Sequence, residues 1–196
     1  PTKETQVVNI ADEIAYDNHD LDDGVTSGLI NMEQLKNLTL WKEAFENVKD
    51  ANLENDMLKY QIIRNLIEIQ ITDLIKESEN KIREFNIKYA KEVTGLIEPL
   101  VSFSPGLRRK REEIREFLST NLYNHYRVIR MSEKAKRFIE ELFNTYIKNP
   151  QQLPFNIQEK LSGADRYQVV CDYIAGMTDR YVEDEYKKLF NPFEKV

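Results

Sequence analysis

Hydrophobic positions recur with a helical period along almost the whole chain. Near the start, four of them fall within an arc of about 60° when residues are drawn at 100° per residue. They are Ile10, Ile14, Leu21 and Val25. Amphipathic stretches follow at about 32–48, 107–126 and 132–147. Since no run alternates as a half-buried strand does, the pattern predicts an all-α fold.

Two further helices are predicted to be largely apolar. Residues 55–89 carry hydrophobic side chains in too many directions for one stripe, which predicts a central, mostly buried helix. Arg64 lies between Ile63 and Leu66 there, so we expect it to be buried against a protein carboxylate or a ligand phosphate. The residues alone favour the internal ion pair. In the last helix, about 164–189, Cys171 follows two valines and is expected in the core.

The opposite face of the first helix is polar. Five side chains share an arc of about 100°. They are Asp12, Tyr16, His19, Asp20 and Asp23. Most acidic helix faces are simply solvated. Here, however, acids crowd towards Gly24, a plausible helix end, where the macrodipole disfavours each by about 0.3–1 kcal/mol. A tyrosine also stands where a stabilising Lys or Arg is expected, so the face has the residue types of a metal or polar-ligand site.

Composition narrows the classes of function. The chain has 196 residues, 41% of them hydrophobic, and a net charge of −6, which disfavours a general nucleic-acid binder but allows a local basic patch. The run 108–111 is the densest basic cluster, and a solvated helix face is favoured over a phosphate contact.

No apolar run approaches the roughly 20 residues of a membrane span. A lone cysteine fits a reducing compartment, so a cytoplasmic location is expected. The opening residues suggest a chain cut from a longer one.

Residues 11–24 closely resemble the deoxyguanosine-triphosphate triphosphohydrolase-like branch of the HD superfamily. Further matches follow in order along the chain, at 63–67 with 72–75, at 121–125 and at 171–181. The resemblance implies an HD-type helical fold. It also implies that residues 1–196 form a single all-α portion, the C-terminal half of a larger helical enzyme.

The resemblance assigns roles to individual residues. In that family a His, a His-Asp doublet and a distant Asp hold the metal, and only the last, Asp12, has a counterpart here. His19 and Asp20 are not that doublet, because no histidine precedes them. Tyr16 is implied to face the substrate and Asp20 to bind the deoxyribose 3′-hydroxyl, with Arg64 as a phosphate contact. No residue of this chain is assigned as catalytic.

The implied reaction is hydrolysis of dGTP, or of deoxynucleoside triphosphates in general, to deoxynucleoside and inorganic triphosphate. It would use a divalent ion such as Mg²⁺ or Mn²⁺. The expected partners are the substrate, the N-terminal half with the other ligands, and further copies in a homo-oligomer, but no membrane and no nucleic acid. This chain alone is expected to be inactive. Two alternatives stay open, another HD-type nucleotide phosphohydrolase and a non-catalytic regulatory or assembly module.

Overall fold

The computed structural model describes residues 2–48 and 55–195, and for residues 55 and 56 the backbone alone. Those ranges hold ten α-helices and no strand, which confirms the all-α prediction. The helices are α1 (Lys3–Thr26), α2 (Met32–Leu35), α3 (Thr39–Val48), α4 (Asn55–Glu84), α5 (Ala90–Val93), α6 (Pro105–Leu118), α7 (Tyr126–Lys148), α8 (Phe155–Gln158), α9 (Arg166–Ala175) and α10 (Asp179–Phe190). A π-helical turn, Ser119–Tyr123, extends α6.

Two predicted helices are in fact interrupted. The stretch 32–48 divides into α2 and α3, and the last helix divides into α9 and α10. In the second case Gly176 ends α9, and the Thr178 side chain accepts a hydrogen bond from the Tyr181 amide to begin α10. The helical spacing of hydrophobic residues continues on both sides of Gly176 and Thr178. The break between α9 and α10 therefore cannot be predicted from that spacing alone.

The chain forms two compact units, residues 1–125 and 126–196, each with its own hydrophobic core. In the first unit, Ile14 and Leu21 of α1 are buried, as predicted from the apolar stripe. They join a core built with α3, α4 and α6, in which Trp41 and Leu66 are almost fully enclosed. The interpretation of residues 1–196 as a single domain stays a prediction.

Helix α1 runs parallel to the segment that leads into and through α6. Three levels of polar contact join them. Near the start, the Val101 amide donates to the Gln6 side-chain oxygen at 3.0 Å. Further on, α1 carboxylates pair with α6 arginines, and beyond them Asp20 meets Tyr123. The start of α6 is also held to α4, because Asp73 accepts from both the backbone and the hydroxyl of Ser104. These contacts fix the rotation of α1 about its own axis and thereby the direction in which its polar side faces.

The prediction that α4 is mostly buried is wrong for one of its faces. Arg64 is exposed, although Ile63 and Leu66 beside it in sequence are buried. Successive side chains on a helix point about 100° apart, so the burial of Ile63 and Leu66 does not require Arg64 to be buried. Ile71 and Ile75 are also exposed, by 43% and 54%. Arg64 consequently needs no internal ion pair.

The second unit packs α7 against α9 and α10 around a core that includes Leu142, Tyr146 and Val170. Cys171 is exposed, contrary to the prediction of a core residue. One helical step beyond the fully buried Val170 turns its side chain out of the core. Among the described helices, none combines the length and the apolar character needed to span a bilayer.

Candidate active site

The predicted polar face of α1 exists, and most of it meets solvent. Asp12, Tyr16 and His19 are exposed, and Asp20 is half-buried. Asp12, Tyr16 and Asp20 occupy successive turns, so the backbone rises about 12 Å from the first to the last. The three side chains therefore form a ladder along one helix, open on its outer side.

Tyr123 joins this ladder from a distance of 103 residues in sequence. The π-helical turn at the end of α6 brings its ring back to α1, where its hydroxyl donates a hydrogen bond to Oδ2 of Asp20. The rings of Tyr123 and Tyr16 lie 6.4 Å apart with a 36° tilt. Burial, followed by the hydrogen bond to Asp20, raises the pKa of Tyr123 above its usual range. The phenol therefore stays protonated and keeps donating at neutral pH.

The inner edge of the polar face has a structural role. Asp17 is buried and pairs with Arg111 at 2.7 Å and with Arg115 at 3.1 Å, while Glu13 pairs with the same two arginines. The Arg111 guanidinium also lies 4.2 Å from the centre of the Phe103 ring. The expectation of a solvated face for 108–111 is therefore wrong for Arg111, which is only 5% exposed. This ion-pair network sets the rotation of α1 and thereby the direction of its outer face.

The acids near Gly24 are partly compensated. Asp22 pairs at 2.6 Å with Lys59, a lysine of α4 that is itself buried. The helix also continues to Thr26, so Gly24 is not its end. A Cβ on Gly24 would approach Cδ1 of Ile30 to 2.4 Å, so a glycine is favoured there by packing. The crowding of acids near Gly24, one of the two signals that favoured a ligand site, thus has a structural cause.

The chain supplies at most part of a metal site. Across residues 2–48 and 55–195, no group of three or more His, Cys, Asp or Glu side chains is arranged to hold an ion. Asp12 is exposed, and no described residue forms an ion pair or hydrogen bond with its carboxylate. It fits the role of one ligand in a site completed by other residues. Arg64 makes no described contact with Asp12, Tyr16 or Asp20.

An apolar groove borders the polar face on the side away from α6. It has a volume of about 590 Å³ between α1 and α4, and His19 lies on its wall. Its hydrophobic lining includes Val7, Ala11, Ala15, Ile67, Ile71 and Ile75. Contiguous apolar surface of this kind is typical of a face that another protein segment covers.

The residue that sequence reasoning missed is Tyr123. It lies inside the 121–125 match to the HD family, but nothing local indicates a contact with α1. A non-helical cue would have been needed, because the predicted helix 107–126 runs straight through the π-helical turn.

Comparison with known proteins gives two kinds of match. Residues 101–188 match the model of a phosphohydrolase-associated domain, so Tyr123 falls inside the matched part and α1 outside it. The whole chain is 45% identical to a deoxyguanosinetriphosphate triphosphohydrolase-like protein of Geobacter sulfurreducens and 44% identical to one of Geobacter metallireducens, covering 51% of each. Over 95% of the chain it is 40% identical to one from Nitrosomonas europaea, covering 50% of that protein. The chain thus spans about half the length of these curated relatives.

Proposed function

Because this chain belongs to the deoxyguanosinetriphosphate triphosphohydrolase-like family of the HD superfamily, we propose that it forms the C-terminal part of a metal-dependent deoxynucleoside triphosphate triphosphohydrolase. The observation that carries the proposal is the ladder of Asp12, Tyr16 and Asp20, closed at its end by Tyr123. The products are the deoxynucleoside and inorganic triphosphate.

Asp12 supplies one metal ligand, and a His and a His-Asp doublet outside this chain supply the rest. A divalent ion held by Asp12 together with those ligands would lower the pKa of a water at the site and so help to supply the nucleophile, which needs the complete ligand set. Within this chain, the task of Asp12 is to present an unpaired carboxylate oxygen at one end of the ladder. This chain alone is therefore inactive in the proposal.

Asp20 binds the sugar at the other end of the ladder. Tyr123 occupies its Oδ2 atom, which holds the carboxylate in one orientation. No described donor contacts Oδ1, so this oxygen is free to accept a hydrogen bond from the 3′-hydroxyl of a deoxyribose. The rings of Tyr16 and Tyr123 lie 6.4 Å apart at this end of the ladder and offer an aromatic surface to the bound sugar. A ring packed against the sugar also leaves no room for a ribose 2′-hydroxyl, which would give selectivity for deoxynucleotides.

Replacing Asp20 by asparagine in the complete protein is expected to lower kcat/KM for deoxynucleoside triphosphates by about 10–100-fold. The lost interaction is a hydrogen bond to a charged acceptor, which contributes about 1.5–3 kcal/mol. Tyr123→Phe keeps the ring but removes the hydroxyl, so we expect a smaller loss of about tenfold, mainly in KM. Steady-state kinetics on each variant provides the measurement.

Tyr60→Phe, on an exposed tyrosine of α4, is the matched control and should change neither constant. If Tyr16→Phe and Asp20→Asn both retain the kinetic constants of the unmodified protein, the sugar-binding role of this ladder is wrong. The alternative, another HD-type phosphohydrolase that acts on a nucleoside monophosphate or an alarmone, predicts no triphosphate among the products. Anion-exchange chromatography of the reaction mixture distinguishes the two.

We further propose that the remaining part of the longer protein covers the groove between α1 and α4. The groove lies next to Asp12 on α1, so a segment packed there is well placed to bring the missing ligands to it. The formation of a homo-oligomer stays a prediction.

Ile75→Glu in the complete protein is expected to lower the melting temperature by roughly 5 °C or more, because a carboxylate would be buried in an apolar contact. Ile97→Glu introduces the same charge at a fully exposed isoleucine and should leave the melting temperature almost unchanged. Differential scanning calorimetry compares the two. Equal melting temperatures would show that the groove is open to solvent in the complete protein.

A further inference from the structure

Asparagine side chains hold the π-helical turn at the end of α6 in place. The backbone amide of Asn124 donates to the carbonyl oxygen of Ser119, five residues back, at 3.1 Å. The side-chain amide of Asn124 donates to the same oxygen at 2.8 Å. Just before the closing bond, the side-chain amide of Asn121 donates to the carbonyl oxygen of Phe117 at 2.9 Å. Two side chains thus bond carbonyl groups at the point where α6 gives way to the turn.

The local sequence favours a departure from the α-helix here. Threonine and asparagine disfavour a helix interior, because their side chains compete for nearby backbone groups. Thr120 adds a third such bond, since its hydroxyl donates to the carbonyl oxygen of Glu116 at 2.9 Å. Back-bonding of this kind to the carbonyl four residues earlier often bends a helix. A π-helical turn is rare, and the three polar side chains give this one local support.

The π-helical turn decides the direction in which Tyr123 points. Measured at 100° per residue from Leu118, Arg111 and Arg115 lie at about 20° and 60°, the side on which both pair with α1. An uninterrupted helix would place Tyr123 at about 140°, well away from that side. In a π-helical turn the fifth residue takes the place of the fourth, so Tyr123 falls at about 40°. Its hydroxyl therefore points in the direction of the two arginines and meets Asp20.

We propose that Asn121 and Asn124 are positioning residues of the sugar site. By holding the π-helical turn, they keep the Tyr123 hydroxyl on Oδ2 of Asp20 and leave Oδ1 to the 3′-hydroxyl of the substrate. Neither asparagine forms a described hydrogen bond with Asp20, so its effect on the substrate passes through Tyr123. This inference rests on the proposed function, because the role of Asp20 in binding the sugar belongs to that proposal.

Steady-state kinetics on the complete protein provides the first measurement. Asn121→Ala/Asn124→Ala removes both side-chain donors, so the turn should revert to an α-helix and Tyr123 should leave Asp20. We expect kcat/KM for deoxynucleoside triphosphates to fall about tenfold, mainly through KM, as for Tyr123→Phe. Combining the three substitutions should cost less than about twofold more, because the same hydrogen bond is already lost. Asn121→Ser keeps a donor for the carbonyl four residues back and should retain more activity than Asn121→Ala.

A second measurement locates the Tyr123 ring without relying on turnover. The complete protein carries 3-fluorotyrosine in place of Tyr123 alone, and its fluorine-19 resonance is compared among variants. Asp20→Ala gives the resonance of this ring without its acceptor. Asn121→Ala/Asn124→Ala should move the resonance towards that value. Asn144→Ala, at an exposed asparagine inside α7, is the control and should change neither the resonance nor the kinetic constants.

The inference is overturned if the double variant leaves the resonance unchanged, or if its kinetic loss multiplies with that of Tyr123→Phe. An equal kinetic loss in Asn144→Ala would also overturn it. A shifted resonance together with a Tyr123→Phe variant of full activity would contradict the proposed sugar site, and would still support the positioning of Tyr123 by the two asparagines. Circular dichroism and the melting temperature confirm that each variant is folded.

Discussion

Replacing Asp12 by alanine in the complete protein is expected to abolish the release of inorganic triphosphate from deoxynucleoside triphosphates. The carboxylate of Asp12 is exposed, has no described protein partner and stands at the end of the ladder formed with Tyr16 and Asp20. Residues that only support a metal ligand reduce activity or affinity by 10–100-fold when removed, so loss of a direct ligand should exceed about 100-fold. Incubation with each of the four substrates and Mg²⁺ or Mn²⁺, followed by anion-exchange separation, measures the effect.

Calorimetric titration of the complete protein with Mn²⁺ tests the same role without relying on turnover. Asp12→Ala should weaken metal binding, whereas Asp20→Asn should leave it unchanged because Asp20 serves the sugar. Glu68→Ala, at an exposed acid on α4, is the control for loss of one surface charge and should leave both readouts unchanged. Undiminished metal affinity and triphosphate release in Asp12→Ala would remove Asp12 from the site. Asp12→Ala could lose metal binding while the unmodified protein releases a product other than triphosphate. That result would point to the alternative, another HD-type nucleotide phosphohydrolase.

The second large effect is on stability. Asp17→Ala is expected to lower the free energy of unfolding by about 3–5 kcal/mol, the usual consequence of removing one partner from a buried ion pair. Arg111 would then lie almost completely buried, with Glu13 at 3.4 Å as the one carboxylate left to it among the described residues. Arg115 is 45% exposed and can regain water, so the cost arises mainly at Arg111. Urea denaturation followed by circular dichroism measures the change.

Glu13→Ala makes a matched comparison one turn earlier on the same helix. The Glu13 side chain contacts the same two arginines but is 46% exposed, so its removal should cost less than about 1 kcal/mol. Equal costs for the two variants would show that burial of Asp17 does not determine the strength of this network. A negligible cost for Asp17→Ala would show that α1 is held by its apolar contacts alone.

Local sequence determined the helical fold and one face of the site. An α-helix has about 3.6 residues per turn, so Ile14 and Leu21 lie two turns apart on the same face. That spacing is enough to predict the buried stripe. The same geometry places Asp12, Tyr16 and Asp20 on successive turns of one face, whatever surrounds the helix. These predictions needed only the period of the helix, and the structure has the same stripe and the same face.

Tertiary packing decided which side chains meet across the chain. Tyr123 reaches Asp20 over 103 residues, and Arg111 reaches Asp17 over 94. Neither pairing follows from spacing along one helix. It depends on the parallel packing of α1 with α6 and on a π-helical turn that periodicity does not reveal. Arg64 and Cys171 show the converse, since both lie within apolar runs of sequence yet face solvent. The sequence by itself thus determined the helices and the order of residues on each face, because those are set within a few residues. Burial and partners were decided by the tertiary structure, because they depend on which distant helix lies opposite each face.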